Sequence, residues 1–202
     1  MYNQAIDDCN KGYKNWVSNV KKMLNAYGFA YVFDNPSTVH VNALISEFKC
    51  RIVDTFKQEW YGNISNSSVL DMYRTFKTSL DYETYLDLVP KSLRLYFVKL
   101  RVSVHPLRIQ TGRYARNNIP RNERYCLCCN SRDIEDEYHF ICICRCYCQI
   151  RKTYIKRFYY VNPSVFKFHQ LLTSCNKKDI MNVCKYIKEA FVIRYSIINN
   201  TT

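Results

Sequence analysis

Two short pairs of residues in the second half of the chain have the types and spacing to hold a metal ion. Cys126-x2-Cys129 is followed, after nine residues, by His139-x4-Cys144. Three thiolates and one imidazole make a complete tetrahedral set for zinc. Thiolates two residues apart can grip one ion across a tight turn, and the second pair must return the chain to the same point. Asn130, just after the first pair, suits a left-handed backbone there. The expected ion is a single structural zinc in a closed site, with no open position for a catalytic water. In small zinc modules such binding supplies about 10 to 16 kcal/mol, so loss of one ligand is expected to unfold the segment. Cys128, Cys142, Cys146 and Cys148 are further thiols that leave the ligand choice open. Cys128 could stand in for Cys126 or Cys129 by shortening the knuckle, and Cys142 or Cys146 for Cys144 by changing the His-to-Cys spacing. His139 has an alternative reading as a hydrogen-bonded core histidine between Tyr138 and Phe140.

The chain has 202 residues, 48% of them hydrophobic, enough for one domain or two small ones with a buried core. Disorder and collagen-like repeats are excluded. No run approaches the roughly 20 apolar residues of a membrane-spanning helix, and no membrane role is expected. Asp7 and Asp8 stand where a secretory signal would be cationic and then apolar. The expected location is therefore intracellular, nuclear or cytoplasmic, with reduced thiols. Of the 11 cysteines, seven fall between residues 126 and 148; the scattered Cys9, Cys50, Cys175 and Cys184 are expected to be small buried hydrophobes.

Charge is as uneven as cysteine. The net charge is +13, yet residues 1–90 hold 9 basic and 10 acidic side chains, whereas 91–202 hold 21 and 7. Such a field favours a polyanion, most simply a nucleic acid. The residues expected to contact it are Arg101, Arg108, Arg113, Arg116, Arg121 and Arg124 before the knuckle, and Arg151, Lys152, Lys156 and Arg157 after it. Tyr114, Tyr125 and Tyr147 lie among them and could stack on unpaired bases.

The elements that must position these groups read as mainly α: a helical bundle with a small zinc-knuckle loop or hairpin inserted between helices. Tyr13, Trp16, Val17, Val20, Leu24 and Tyr27 recur at helical spacing before Gly28. Val41, Leu44, Ile45, Phe48, Ile52 and Phe56 trace a longer stripe ending near Trp60. Ser67 or Ser68 can cap a helix with Leu70, Tyr73 and Phe76, and Pro90 opens another that runs toward Pro106. Residues 107–124 read as extended or looped. Helical spacing returns around Ile150, Tyr154 and Phe158, then behind Asn162-Pro163, and finally through Ile180, Val183, Cys184, Ile187 and Phe191. The division expected is 1–90, a helical linker-like region, and 91–202, a basic helical region with the knuckle at 124–148, unless the two form one continuous domain.

A family resemblance rests on Leu100-Arg101-x-Ser103-x-His105-x-Leu107-x-Ile109-x-x-Gly112-Arg113, then Arg124-x-Cys126-x2-Cys129, then Ile134-Glu135-Asp136-Glu137-x-His139-Phe140, Cys144 and Tyr147. The string resembles the C-terminal region of reverse transcriptases from animal non-LTR retrotransposons. The Asn15-Trp16 helix and the Trp60 to Phe76 stretch look like the linker after the polymerase domain of such proteins, and the segment from Arg151 to Lys188 like its tail. The chain departs from the pattern at Gln110, Ile143 and Arg145. The resemblance implies a zinc-stabilised, nucleic-acid-binding appendage to an RNA-directed DNA polymerase, with metal ligands at Cys126, Cys129, His139 and Cys144. Its partners would be RNA or DNA and the polymerase portion of a parent retrotransposon protein.

No aromatic-x-Asp-Asp sequence is present to hold catalytic metal ions, so the chain is expected not to be an enzyme by itself. A Cys and His acting as nucleophile and base would need a third, orienting group and a shaped pocket, and no Gly-rich turn suggests one. The alternative is a helical protein-interaction module that zinc merely staples, with no nucleic-acid role.

Overall fold

A computed structural model describes residues 2–200, with the side chains of Tyr2 and Thr38 left aside. The chain forms two compact units, one up to Asn63 and one from Ile64. The fold is mainly α, as the periodicity requires; among the described residues no β-strand forms, and one antiparallel bridge pairs Tyr125 with Ile134.

The first unit contains α1 (Tyr2–Asn10), α2 (Trp16–Ala26), α3 (Ala30–Asp34) and most of α4 (Val41–Asn66). Asn15 starts α2 with a capping box: its side chain accepts from Ser18 N–H and the Ser18 hydroxyl accepts from Asn15 N–H. Gly28, at φ 82°, ends it, with Phe29 N–H reaching back to Leu24 O and Gly28 N–H to Asn25 O. That pair of bonds is a Schellman closure. Leu24, Phe29 and Val32 make a small core against Leu44 and Phe48. The rest of the stripe expected to be core, including Val41, Ile45 and Phe56 on α4, is exposed. The helix also runs past Trp60 to Asn66, through Gly62.

The second unit holds α5 (Asp71–Phe76), α6 (Tyr85–Leu88), α7 (Lys91–Arg101), α8 (Arg108–Thr111), α9 (Cys148–Tyr154), α10 (Arg157–Tyr160), α11 (Val165–Leu172) and α12 (Lys177–Asn199). The central helix is α12, with Ile180, Val183, Cys184, Tyr186, Ile187 and Ala190 nearly inaccessible and α6, α7, α9 and α11 packed around it. The sequence groups residues 64–90 with the first region, yet α5 packs on α11 and α6 on α7 and α12. Phe76 and Val89 join the same apolar core.

Helix ends differ from expectation where local capping bonds decide them. The turn toward Pro106 stops at Arg101, because Ser103 takes φ 61° and a second Schellman pair forms, Val104 N–H to Lys99 O and Ser103 N–H to Leu100 O. Leu70, not Ser67 or Ser68, occupies the N-cap of α5, and Ser164 rather than Asn162 caps α11. Gly112 follows α8 for a steric reason: a Cβ there would lie 2.8 Å from Arg108 O and 2.9 Å from Arg124 Cγ.

Candidate metal centre

The knuckle is closed by two backbone bonds that flank the Tyr125–Ile134 bridge. Cys126 N–H donates to Asp133 O and Glu135 N–H to Arg124 O, so the chain leaves at Cys126 and returns within one loop. The left-handed residue of that loop is Arg132, at φ 58°, rather than Asn130. Cys128 N–H points back to Cys126 Sγ at 3.4 Å, the kind of bond that favours a thiolate.

The second pair depends on an unusual turn. His139–Ile143 is one turn of π-helix, with Cys144 N–H bonded to His139 O. On an α-helix, residue i+5 would lie about 140° round the axis from residue i. The wider π turn, with its i→i+5 bond, brings His139 and Cys144 back onto one side. Arg151 fixes the turn from outside: Nε donates to Ile141 O at 2.6 Å and a terminal nitrogen to Cys144 O at 2.7 Å.

These two devices place one donor atom each from Cys126, Cys129, His139 and Cys144 within 4.8 Å of one another, a group that could hold a metal ion. Cys126 Sγ and Cys144 Sγ are 3.9 Å apart, and Cys129 Sγ lies 3.4 Å from His139 Nε2. Tetrahedral zinc bond lengths imply about 3.8 Å between sulfurs and about 3.6 Å from sulfur to nitrogen. The Cys126–Cys144 and Cys129–His139 separations match these two spacings. His139 is therefore arranged to ligate through Nε2, while Nδ1 faces the Asp133 carboxylate at 3.6 Å.

Electrostatics point the same way. Hydrogen bonds from Cys128 and Cys144 hold the Cys126 thiol far below its usual range. Burial pulls the His139 imidazole down, but the Cys126 and Cys129 sulfurs outweigh it and raise its pKa. The bond that lowers Cys126 raises the Cys144 thiol in turn, so without an ion the pocket holds a thiolate beside a neutral thiol, and a bound cation would let both sulfurs ionise.

A second triad, Cys126, Cys128 and Glu135, also converges. Its carboxylate is committed elsewhere: Arg194 on α12 donates to both Glu135 oxygens at 2.8 Å, and Arg108 N–H donates to Oε2 at 2.7 Å. Cys128 instead accepts from the Tyr147 hydroxyl. Cys142 is buried and its thiol pushed up to about 12 by desolvation, a packing cysteine. Of the scattered cysteines only Cys184 is buried; Cys50 and Cys175 are exposed and Cys9 is half-buried.

The ten basic residues proposed from sequence divide sharply. Arg101, Arg124 and Arg151 are not surface groups: each is at most 7% exposed and spends its guanidinium inside. Arg101 pairs with Glu83 among the rings of Phe76, Tyr85 and Phe97. Arg124 donates to Ile119 O and Ile109 O, and burial lowers its pKa. Arg113 and Arg121 converge with Arg74 on the Asp71 carboxylate. Arg108 is half-buried and Arg116 exposed. Lys152, Lys156 and Arg157 stay exposed and line one shallow depression with Lys178, beside Tyr154 and Tyr160. Lys178 was missed in the sequence because only folding brings the start of α12 beside α9 and α10. Tyr147 is core, with Tyr114 and Tyr125 exposed. Among the described residues no helix is long and apolar enough to cross a membrane.

Comparison with protein-family models, with curated proteins and with solved structures finds no match to this chain.

Proposed function

We propose that this chain is a zinc-stabilised nucleic-acid-binding module, non-catalytic by itself, of the kind that follows the polymerase domain in non-LTR retrotransposon reverse transcriptases. The observation that carries the zinc is the convergence of Cys126, Cys129, His139 and Cys144, their donor atoms within 4.8 Å of one another, enough for four protein ligands. Such a closed site fixes the knuckle relative to α9, the helix that starts four residues after Cys144. The exposed cations Lys152, Arg157 and Lys178 then form a patch with Tyr154 and Tyr160 between them, while Lys156 beside them pairs with Asp179 at 2.6 Å. Charge for the phosphates and rings for the bases is the combination that single strands require. The motif string from Leu100 to Tyr147 supports the same reading, as does the lopsided charge of residues 91–202.

The test is a salt titration with a fluorescent single-stranded oligonucleotide. Contact of Lys152, Arg157 and Lys178 with about three phosphates predicts a slope near −2 for log affinity against log salt. A flat response, or no binding at low salt, overturns the nucleic-acid reading.

The burial of Arg101, Arg124 and Arg151 favours a second reading, in which zinc staples a helical protein-interaction module. That reading predicts full zinc content with weak, salt-insensitive nucleic-acid binding.

A further inference from the structure

The second unit contains a cavity of about 470 Å³ between α5, α8, α11 and the start of the π turn. Phe76, Phe168 and Tyr138 line it together with Met72 and Ile109. Phe168 meets both Phe76 and Tyr138 edge-on, at 6.0 and 5.5 Å between ring centres, so the three rings form one continuous aromatic surface. A cavity of this size, mostly apolar with a few placed polar groups, is the usual form of a small-ligand site.

Its polar groups are short of donors and of positive charge. Gln110 is 5% exposed, lines the cavity, and its Oε1 has no hydrogen-bond partner, a costly state for a buried amide. A half-turn of the amide exchanges oxygen and nitrogen, so the oxygen can face the cavity. Asp136 also lines it, half-buried; its Oδ1 accepts His139 N–H at 2.7 Å, and among the described residues no cation lies within ion-pair distance of the carboxylate. The third acceptor is Glu137, 6% exposed, whose Oε1 is held by His105 Nε2 at 2.8 Å. Arg74 and Arg121 reach the cavity too, but both are paired with Asp71, and Arg113, the further partner of Asp71, gives its donors to Ser68 outside it. The lining thus sets three carboxylates against two guanidiniums, and the acid left without a counterion is Asp136. A carboxylate held among apolar walls gains from a cation. Among the described residues these acids form no three-donor group of the kind found at the knuckle, which favours an organic cation over a bare metal ion.

We infer that this cavity binds a small organic ammonium ion with a flat apolar body, its N–H groups on Asp136 and Gln110 Oε1 and its body against Phe168, Phe76 and Tyr138. An ammonium has donors and no acceptor, which suits a lining that offers oxygen, and it is attracted by aromatic faces as well as by carboxylates. Three rings in contact suit a flat body better than the linear stem of a lysine. The inference does not rest on the strand-binding reading and uses no residue of the Lys152 patch.

The experiment titrates the full chain, with zinc present and at neutral pH, with three probes that share one body and differ in charge: 2-phenylethylamine, 2-phenylethanol and phenylacetate. Three variants accompany it. Asp136→Asn removes the charge and keeps an acceptor for His139 N–H, Gln110→Leu removes the amide at similar size, and Val165→Trp adds bulk at an exposed lining position. Zinc content and helicity check that each folds; if Asp136→Asn loses zinc, Gln110→Leu and Val165→Trp decide. The expected result is that the amine binds about tenfold more tightly than the alcohol, with phenylacetate weakest. Asp136→Asn should reduce amine affinity about tenfold and Gln110→Leu about fivefold, and Asp136→Asn should leave the alcohol unchanged. Val165→Trp should weaken amine and alcohol alike. Equal affinity for the three probes, tighter binding of phenylacetate than of the amine, amine affinity unchanged in the folded variants, or no amine binding at all would each overturn the proposal. None of these results bears on the strand reading, which the salt titration tests separately.

Discussion

Ligand geometry and arginine burial are decided at the scale of single residues. The four residues that converge as candidate ligands were legible because ligand spacing is a local property: three residues from Cys126 to Cys129 and five from His139 to Cys144. What spacing could not separate was Cys126 from Cys128, and here the hydrogen bonds decide, since Cys128 is engaged by Tyr147 and Glu135 by Arg194. The basic residues were less legible because an arginine's type does not reveal whether its donors meet water or backbone carbonyls. Arg124 and Arg151 each donate to two backbone carbonyls. The Asp133 carboxylate faces His139 Nδ1 at 3.6 Å, an electrostatic contact with no hydrogen bond. Asp133→Asn is expected to weaken zinc affinity about tenfold, at the low end for outer-shell partners because Asp133 is exposed. Competition with a chromophoric chelator reads this directly, and an unchanged affinity would remove Asp133 from the account.

Among the elements, α12 and the knuckle are joined through one buried ion pair. Glu135 is 1% exposed, Arg194 4%, and the two are bidentate. Glu135→Gln would leave the Arg194 charge buried without a counterion, an expected loss of about 3 to 5 kcal/mol in urea unfolding. Gly112→Ala must displace either Arg108 O or the Arg124 stem, and should cost about 1 to 3 kcal/mol. The link between α7 and the segment before α6 carries a pH signature. Burial raises the Glu83 carboxyl, but Arg101 and Lys77 outweigh it and hold its pKa below the ordinary value. Its stabilising contribution is present above the unfolded carboxyl pKa and is lost as pH falls through the depressed folded value. Thermal melts from about pH 5 down to pH 3 should therefore be flatter for Glu83→Gln than for the parent chain. The longer helices were legible from periodicity, whereas the short α1, α3, α6 and α8 were not, α8 lying inside the segment read as extended or looped; the end at Ser103 follows from local Schellman bonds that no apolar period encodes.

For the whole molecule, the seven clustered cysteines and the charge excess share one unit, and Cys126 and Cys144 of the candidate metal site lie in the same core as α12. Residues 64–90 belong to that core because Phe76 and Val89 are buried in it, a partnership that no sequence period announces. The central claim is that one zinc ion holds this unit's knuckle through Cys126, Cys129, His139 and Cys144. Elemental analysis of the purified chain beside Cys129→Ser and Cys128→Ser variants tests it. The prediction is one equivalent of zinc in the parent and in Cys128→Ser, and its loss in Cys129→Ser. A parent chain without zinc, or a Cys129→Ser variant that retains a full equivalent while Cys128→Ser loses it, would contradict the account.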